Sequence, residues 1–276
     1  MADTRKEQGR HQAQAPAAQA TLRLYEELND YLPRELRKRD VAVRFSPPAP
    51  VRHLIETLGV PHTEVELILI NGDSVGLETS VDDGDRIAVY PVFESLDVSP
   101  LLRVRERPLR SPRFIADAQL GRLARYLRLL GFDTLYENDP GDAALVRFAS
   151  EQRRIILTRD RRLLMRRAVT HGCHIRDDRP LRQLTYVVRR CDLAGLARPF
   201  TRCMECNGDL ESVSKEAVAD YLPEGTRTQY DAFWRCRDCQ RLYWKGSHYA
   251  ALQHLIDTAL TERRDCSGRD QRAGAE

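Results

Sequence analysis

The chain has 276 residues, 42% of them hydrophobic, and a formal net charge of +3. This length exceeds the usual size of one domain and predicts two or three separate cores. The longest aliphatic stretch, residues 67–70, is far too short to span a bilayer, and the first twenty residues lack the apolar core of a secretory signal. The composition therefore excludes a membrane-spanning protein, and we expect a cytoplasmic one.

The small net charge conceals a contrast between two parts of the chain. Residues 21–97 contain 8 Lys/Arg and 15 Asp/Glu, a net charge of −7. Residues 114–200 contain 17 Arg, no Lys and 10 Asp/Glu, a net charge of +7. The basic part has the sign expected of a surface that meets a polyanion.

The first folded segment is predicted over residues 21–98, after a polar, disordered tail at 1–20. Apolar stretches predict strands at 22–25, 41–45, 65–70 and 87–93. An amphipathic helix at 51–58 lies among them and is closed by Gly59. Two strands, a helix and further strands predict a β-grasp domain.

A second folded segment, residues 113–200, follows a proline-containing basic linker at 99–112. Strands are predicted at 114–116, 132–136 and 155–158, and helices at 120–130, 143–150 and 161–167. Apolar residues at positions 120, 123, 127 and 130 form one face of the first helix, which ends at Gly131. The alternation predicts an α/β domain with a parallel, doubly wound sheet.

Three aspartates of this segment are candidates for a catalytic metal site. Asp117 and Asp160 follow directly on strands, and Asp142 opens a helix. In a doubly wound sheet, ligands bind beyond the carboxyl ends of the strands, where the strand order reverses. Carboxylates gathered there would hold Mg²⁺ or Mn²⁺, which can activate water against a phosphodiester. A helix N-cap is the alternative role for Asp142, and a turn or cap for Asp117.

Arginines flank these aspartates. Arg122 and Arg125 lie on the helix after Asp117, and Arg159 and Arg161 lie on either side of Asp160. We interpret them as contacts to the phosphates of a nucleic acid. A solvated helix face is the alternative interpretation.

The third segment, residues 201–261, contains two C-x-x-C pairs and precedes a second polar tail at 262–276. The pairs are Cys203 with Cys206 and Cys236 with Cys239. Four thiolates at this spacing predict a closed, structural zinc site that stabilises a small unit. An iron–sulfur centre and a redox dithiol are the alternatives, and the dithiol fits poorly because the pairs lie outside the strand-helix alternation.

Several motifs resemble a known family. They are Arg113-Phe-Ile-Ala-Asp117, the run at 120–131, Leu157-Thr-Arg-Asp160, and the stretch from Phe233-Trp-Arg-Cys236 to Tyr243-Trp-Lys-Gly-Ser-His248. Over about residues 113–255 they resemble the PIN-like RNase domain named after the C-terminus of the Mut-seven exonucleases. The resemblance implies a metal-dependent RNase with a zinc ribbon, in which Asp117, Asp142 and Asp160 are catalytic acids and the four cysteines bind zinc.

Residues 21–94 resemble the ubiquitin-like domain that often precedes this RNase in bacteria, and they are similar to sulfur carriers. Carrier chemistry needs a free C-terminal Gly-Gly, whereas here the chain continues through Phe93-Glu94-Ser95. The opposite charges of the two segments predict that the ubiquitin-like domain docks in cis near the RNA-binding surface.

The expected function is hydrolysis of RNA phosphodiester bonds with Mg²⁺ or Mn²⁺, in a PIN-like domain between a β-grasp domain and a zinc ribbon. The alternative is a non-catalytic RNA-binding or adaptor protein whose carboxylate cleft has lost its metal.

Overall fold

The computed structural model describes residues 17–91, 103–104, 112–138 and 141–261. Residues 17–91 and 103–104 belong to one compact unit, and residues 112–138 and 141–261 belong to another. In these described ranges, no helix has the length and apolar character needed to cross a membrane.

The first unit is a mixed sheet packed against one helix. Its elements are β1 (Ala18–Leu24), β2 (Asp40–Phe45), β3 (Ala49–Pro50), α1 (Val51–Thr57), β4 (Leu67–Ile70), β5 (Asp73–Ser74), β6 (Ser80–Val81) and β7 (Arg86–Tyr90). The main sheet has the order β2-β1-β7-β4-β5, with β1 and β7 parallel and the other neighbours antiparallel. Leu54 and Ile55 of α1 are buried in the core beneath it. This is the arrangement predicted for a β-grasp domain.

Strand boundaries in the first unit differ from the predicted ones. β1 begins at Ala18, inside the segment predicted to be a tail, because Ala18 and Ala20 are small enough to be buried where β1 pairs with β2. β4 begins only at Leu67, since His62–Glu64 form a 3-10 turn. The end of the last predicted strand, residues 92–93, lies outside the described residues.

The second unit alternates strands and helices before it becomes a ribbon. Its elements are β8 (Phe114–Ala116), α2 (Gly121–Leu129), β9 (Thr134–Tyr136), α3 (Asp142–Glu151), β10 (Ile155–Thr158), α4 (Arg161–Leu164), β11 (Gly172–His174), α5 (Pro180–Arg190), β12 (Leu210–Val213), α6 (Lys215–Val218), α7 (Glu224–Gln229), β13 (Phe233–Cys236), β14 (Leu242–Trp244) and α8 (Tyr249–Thr261). One sheet has the order β11-β10-β8-β9 and is parallel throughout. The ribbon sheet, β12-β13-β14, is antiparallel.

Helices cover both faces of the parallel sheet. Phe114 and Ala116 of β8 point into a core shared with α2, α5 and α8. Ile115, between them, points into the opposite core, which α3 and α4 close. The predicted doubly wound parallel sheet is therefore present, and α8, at the end of the ribbon segment, packs in the same core as the sheet.

Some boundaries in this unit also differ from the predicted ones. The predicted helix at 120–130 is shorter, because a 3-10 turn at Ala118–Leu120 precedes α2. The strand predicted from residue 132 begins at Thr134, because the Phe132 amide donates to Leu127 O at the end of α2. The short basic helix ends at Leu164, three residues early. Neither β11 nor α5 was predicted.

Candidate functional site

The carboxyl ends of β8 and β10 meet at the switch point of the parallel sheet. From β8 the chain first adds β9 on one side and then β10 and β11 on the other, so the strand order reverses between β8 and β10. Asp117 directly follows β8, and Asp160 lies two residues after β10. Both aspartates therefore lie at the edge of the sheet where a doubly wound fold binds its ligands.

Thr158 joins the two aspartates through hydrogen bonds. Its hydroxyl donates to Asp117 Oδ2 at 2.7 Å and accepts from the Asp160 amide at 3.0 Å. Thr158 is fully buried at the end of β10, whereas Asp117 is half-buried and Asp160 is exposed. One buried hydroxyl thus links the Asp117 carboxylate to the backbone of Asp160. The sequence analysis missed this threonine, because a β-branched residue ending a strand has an ordinary structural explanation.

Both aspartates also cap the elements that follow them. Asp117 Oδ1 accepts from the Ala118 amide at 2.7 Å, and Asp160 Oδ1 accepts from the Arg162 amide at 2.8 Å. These bonds fix the orientation of each carboxylate. The cap role considered for Asp117 is therefore real, and it leaves lone pairs on both side chains for a further ligand.

Asp142 is not joined to the other two aspartates. The predicted N-cap role is wrong: Gly141 is the N-cap of α3, and Asp142 is the first helical residue. Its carboxylate is exposed and pairs with Arg166 Nη2 at 2.6 Å. Within the described residues, these three aspartates do not form a cluster with ligand atoms close enough to share one ion. The ion pair with Arg166 accounts for this difference, because it directs the side chain to another partner.

The four predicted RNA-binding arginines divide into paired and unpaired side chains. Arg125 pairs with Glu205 at 2.7 Å, and Arg159 pairs with Asp178 in the loop after β11. Arg122 and Arg161 are exposed and form no ion pair within the described residues. The latter two guanidinium groups are therefore not engaged by a carboxylate of the described residues.

The four cysteines form a compact cluster whose geometry fits a metal ion. Their sulfur atoms all lie within 4.8 Å of one another, with 3.7 Å between Cys203 and Cys239 and 3.3 Å between Cys206 and Cys236. A tetrahedral zinc site with Zn–S bonds of about 2.3 Å requires sulfurs about 3.8 Å apart. The donor set and its spacing therefore fit structural zinc.

The two C-x-x-C loops share one backbone pattern. Cys203 N donates to Gly208 O and Asn207 N to Cys203 O; in the other loop, Cys236 N donates to Arg241 O and Gln240 N to Cys236 O. Asn207 and Gln240 both have positive φ, of 77° and 61°. Because the two loops have the same backbone hydrogen bonds, each places its two cysteines in the same way. A zinc site formed by two C-x-x-C loops requires this.

The thiols of the cluster titrate very differently. Burial opposes ionisation of Cys203, but the backbone N–H groups of Cys206 and Glu205 and the Tyr243 hydroxyl lower its pKa to about 7. Burial raises the pKa of Cys206 to about 12. Four thiolates at neutral pH therefore need a bound cation, whose binding releases protons.

A buried arginine connects the first cysteine loop to the parallel sheet. Arg128 of α2 donates to Glu205 O at 2.6 Å, Met204 O at 3.1 Å and Thr134 O at 2.8 Å. Asn207 extends the network, since it accepts from the Thr134 amide at 2.9 Å and donates to Asp133 Oδ1 at 2.7 Å. The cysteine cluster is thus attached to the amino-terminal end of β9, opposite to the end that bears the aspartates.

The fold and these sites define a mixed α/β protein with two aspartates at the switch point of a parallel sheet and a separate Cys₄ cluster. The family model described as the Mut7-C RNAse domain matches residues 112–256, and that described as Mut7-C ubiquitin matches residues 17–97. The first match covers more than half of the chain, which therefore belongs to the Mut7-C RNAse domain family. No curated protein and no solved structure matches the chain.

Membership of this family gives the two units their general character. The first unit is a ubiquitin-like domain, and the second is an RNase domain with a nuclease-like role. The predicted family and its layout are confirmed.

Proposed function

We propose that the protein is a ribonuclease with a PIN-like domain that hydrolyses RNA phosphodiester bonds with Mg²⁺ or Mn²⁺ held by Asp117 and Asp160. The observation that carries this proposal is the Asp117–Thr158–Asp160 arrangement at the switch point of the sheet. Mg²⁺ keeps several waters and needs only one or two protein carboxylates beside the substrate phosphate, so two aspartates suffice.

In this proposal the aspartates and the arginines at the switch point have different roles. Asp117 and Asp160 supply hard oxygen ligands, and a divalent ion bound there would activate water and stabilise the leaving oxygen. Arg122 and Arg161, exposed beside the two aspartates, attract and orient the phosphate backbone. Asp142 would join the site only if its pairing with Arg166 were broken.

The cleavage assay uses labelled single-stranded RNA and DNA with Mg²⁺, Mn²⁺ or EDTA. Asp117→Asn and Asp160→Asn keep the side-chain shape but remove a charged ligand, so we expect cleavage to fall by about 100-fold or more. Asp257→Asn, an exposed change of the same chemistry on α8, is the matched control and should cleave normally. Full activity in both active-site variants would contradict the assignment.

The ion pair between Asp142 and Arg166 favours a second candidate function, a non-catalytic RNA-binding or adaptor protein. That function predicts RNA binding without metal-dependent cleavage under every condition of the same assay. Cleavage abolished by EDTA and by Asp117→Asn would exclude it.

A further inference from the structure

The ribbon contains a cavity lined largely by aromatic side chains. It has a volume of about 590 Å³ and lies between the ribbon strands, the loop before Cys203 and the start of α8. Its aromatic lining residues are Phe200, Trp234, Tyr243, Trp244 and Tyr249. This volume is within the range of about 300–1,000 Å³ that is typical of small-ligand pockets.

The aromatic side chains are held in fixed positions. Trp234 and Tyr243 face each other across β13 and β14, and the Tyr243 hydroxyl lies 3.0 Å from Cys203 Sγ. Phe200 and Tyr249 stack with their ring centroids 5.0 Å apart. The cysteine cluster therefore supports one wall of the cavity, and the start of α8 supports another.

Gly246 leaves room for the Trp244 ring. A Cβ atom at Gly246 would come within 2.8 Å of the indole nitrogen, so only glycine lets the backbone approach the ring this closely. Neither indole N–H, of Trp234 or of Trp244, has a hydrogen-bond partner within the described part of the chain. Both are half-buried at the cavity, where a ligand can accept from them.

The charged residues of the cavity are all basic. Arg202, Lys245 and His248 line it, and no acidic residue does within the described ranges. Lys245 Nζ lies 5.2 Å from the centre of the Tyr249 ring. Arg202 is already bonded within the protein, because its Nη2 pairs with Asp209 at 3.3 Å and its Nη1 donates to Asn207 O at 2.6 Å. Several acidic side chains of the ribbon are neutralised by pairing elsewhere, among them Glu211 with Arg235 and Arg237.

We propose that this cavity binds an unstacked base of single-stranded RNA, with Lys245 contacting an adjoining phosphate. Aromatic rings stack on any base, and basic residues beside them follow the phosphate backbone, which is how sequence-tolerant single-strand sites are built. The inference rests on the proposed function for the identity of its ligand. It assigns substrate binding to a second site, near the C-terminal end of α2, whereas Asp117 precedes the opposite end of that helix.

The protein offers a built-in probe for this site. Its two tryptophans, Trp234 and Trp244, both line the cavity, so intrinsic tryptophan emission reports on it alone. The full chain carrying Asp117→Asn is titrated without added Mg²⁺ or Mn²⁺ with a short single-stranded oligouridylate, and affinities are measured separately by anisotropy of a labelled oligonucleotide. We expect saturable quenching, and about 10-fold weaker binding by Trp234→Leu and by Lys245→Gln.

Matched controls separate base binding from charge attraction. Tyr221→Ala removes an aromatic ring of the ribbon that is 80% exposed and outside the cavity, and Lys215→Gln removes its other lysine; both should bind normally. A blunt RNA duplex and an abasic strand of equal charge should not quench, because neither presents an unstacked base. Zinc content and circular dichroism establish that each variant is folded.

Several outcomes would overturn the inference. The first is tryptophan emission that stays unchanged while anisotropy shows that RNA is bound. The second is equal quenching by the abasic strand, and the third is a normal RNA affinity of the Trp234→Leu variant. Emission that depends on protein concentration alone would place a second copy of the chain in the cavity and would overturn it too. Because binding is measured without added Mg²⁺ or Mn²⁺, it does not depend on cleavage. The cavity can therefore fail to bind RNA while the cleavage assay succeeds, and it can bind RNA while the cleavage assay fails.

Discussion

At the scale of single residues, Thr158 determines how the two candidate metal ligands are held. Its hydroxyl is the only atom of its side chain that can bond to Asp117, and replacing it by a methyl group changes the shape very little. We expect Thr158→Val to lower cleavage by about 10-fold or more and to raise the Mg²⁺ concentration needed for half-maximal activity. Thr158→Ser should restore both.

Thr134→Val is the matched control for this effect. Thr134 is also buried, and its hydroxyl donates to Phe132 O at the start of β9. Its replacement should lower the unfolding free energy by about 1 kcal/mol and leave the Mg²⁺ dependence unchanged. Equal Mg²⁺ dependence in both variants would show that Thr158 has only a structural role.

Asp133 makes the stability of the second unit dependent on pH. Burial alone would raise the pKa of Asp133, but the hydrogen bonds from Arg154 and Asn207 outweigh it and lower the pKa. The charged form therefore stabilises the fold above the unfolded-state pKa of about 3.9, and this contribution is lost as the pH falls through the lower folded-state value.

Urea unfolding between neutral and acidic pH tests this dependence. Asp133→Asn should be less stable than the parent at neutral pH, and the difference should shrink in acid, where the parent loses its ion pair with Arg154. Asp231→Asn, at a side chain that is 91% exposed, should follow the parent at every pH. A constant difference between Asp133→Asn and the parent would contradict the linkage.

At the scale of elements, α2 connects the cysteine cluster to the sheet through Arg128. Arg128→Met would leave the buried carbonyl of Thr134 and the partly buried carbonyls of Met204 and Glu205 without their donor. We expect the unfolding free energy to fall by about 2–4 kcal/mol, and zinc to be lost to a chelator at a lower chelator concentration.

Arg125→Met provides the control on the same helix. Arg125 pairs with the Glu205 carboxylate while half-exposed, so its replacement should change the unfolding free energy by less than about 1 kcal/mol. If the two variants released zinc equally, Arg128 would not couple the cluster to the sheet.

Elements with a strong local pattern were predictable from the sequence, and those defined by distant contacts were not. α2 and β10 were predicted within a residue or two, because an amphipathic stripe and a short apolar run stand out locally. β11 is only three residues long and has no alternation, so its place beside β10 depends on the finished sheet. α5 is predictable from its local sequence, because Pro180 stands at its start and the buried Leu184, Val187 and Val188 have helical spacing.

The same division applies to the sites. Spacing alone identified the four cysteines, since each pair lies within one loop. The switch-point argument brought Asp117 and Asp160 to one edge of the sheet, but it could not detect the competing partner of Asp142, Arg166, 24 residues further along the chain. The aromatic residues of the cavity come from three separate stretches of sequence, so no motif predicted it.

At the scale of the whole molecule, the two units carry opposite charges. Residues 21–97 have a net charge of −7 and residues 114–200 one of +7, and each unit has its own core. We expect the acidic domain to compete with RNA for the basic surface, so deleting residues 1–98 should tighten RNA binding at low salt. The difference should vanish at high salt, where the Debye length is about 3 Å at 1 M.

RNA affinity of the full and shortened chains, measured over a salt series, tests this effect. An affinity at low salt that is unchanged or weaker after the deletion would show that the ubiquitin-like domain does not compete with RNA. The same series gives the number of phosphates contacted, from the slope of affinity against salt concentration.

The contacts of Arg128 also bear on how the chain is made by the ribosome. The acceptor in Glu205 is 77 positions further along the chain, which takes about 4–15 seconds to synthesise. Until Met204 and Glu205 have been synthesised, the Arg128 guanidinium has only one of its three backbone acceptors, the Thr134 carbonyl. We therefore expect the core beside Arg128 to stay incomplete until the first cysteine pair has been synthesised, and the RNase domain to mature only after its last sixty or so residues emerge.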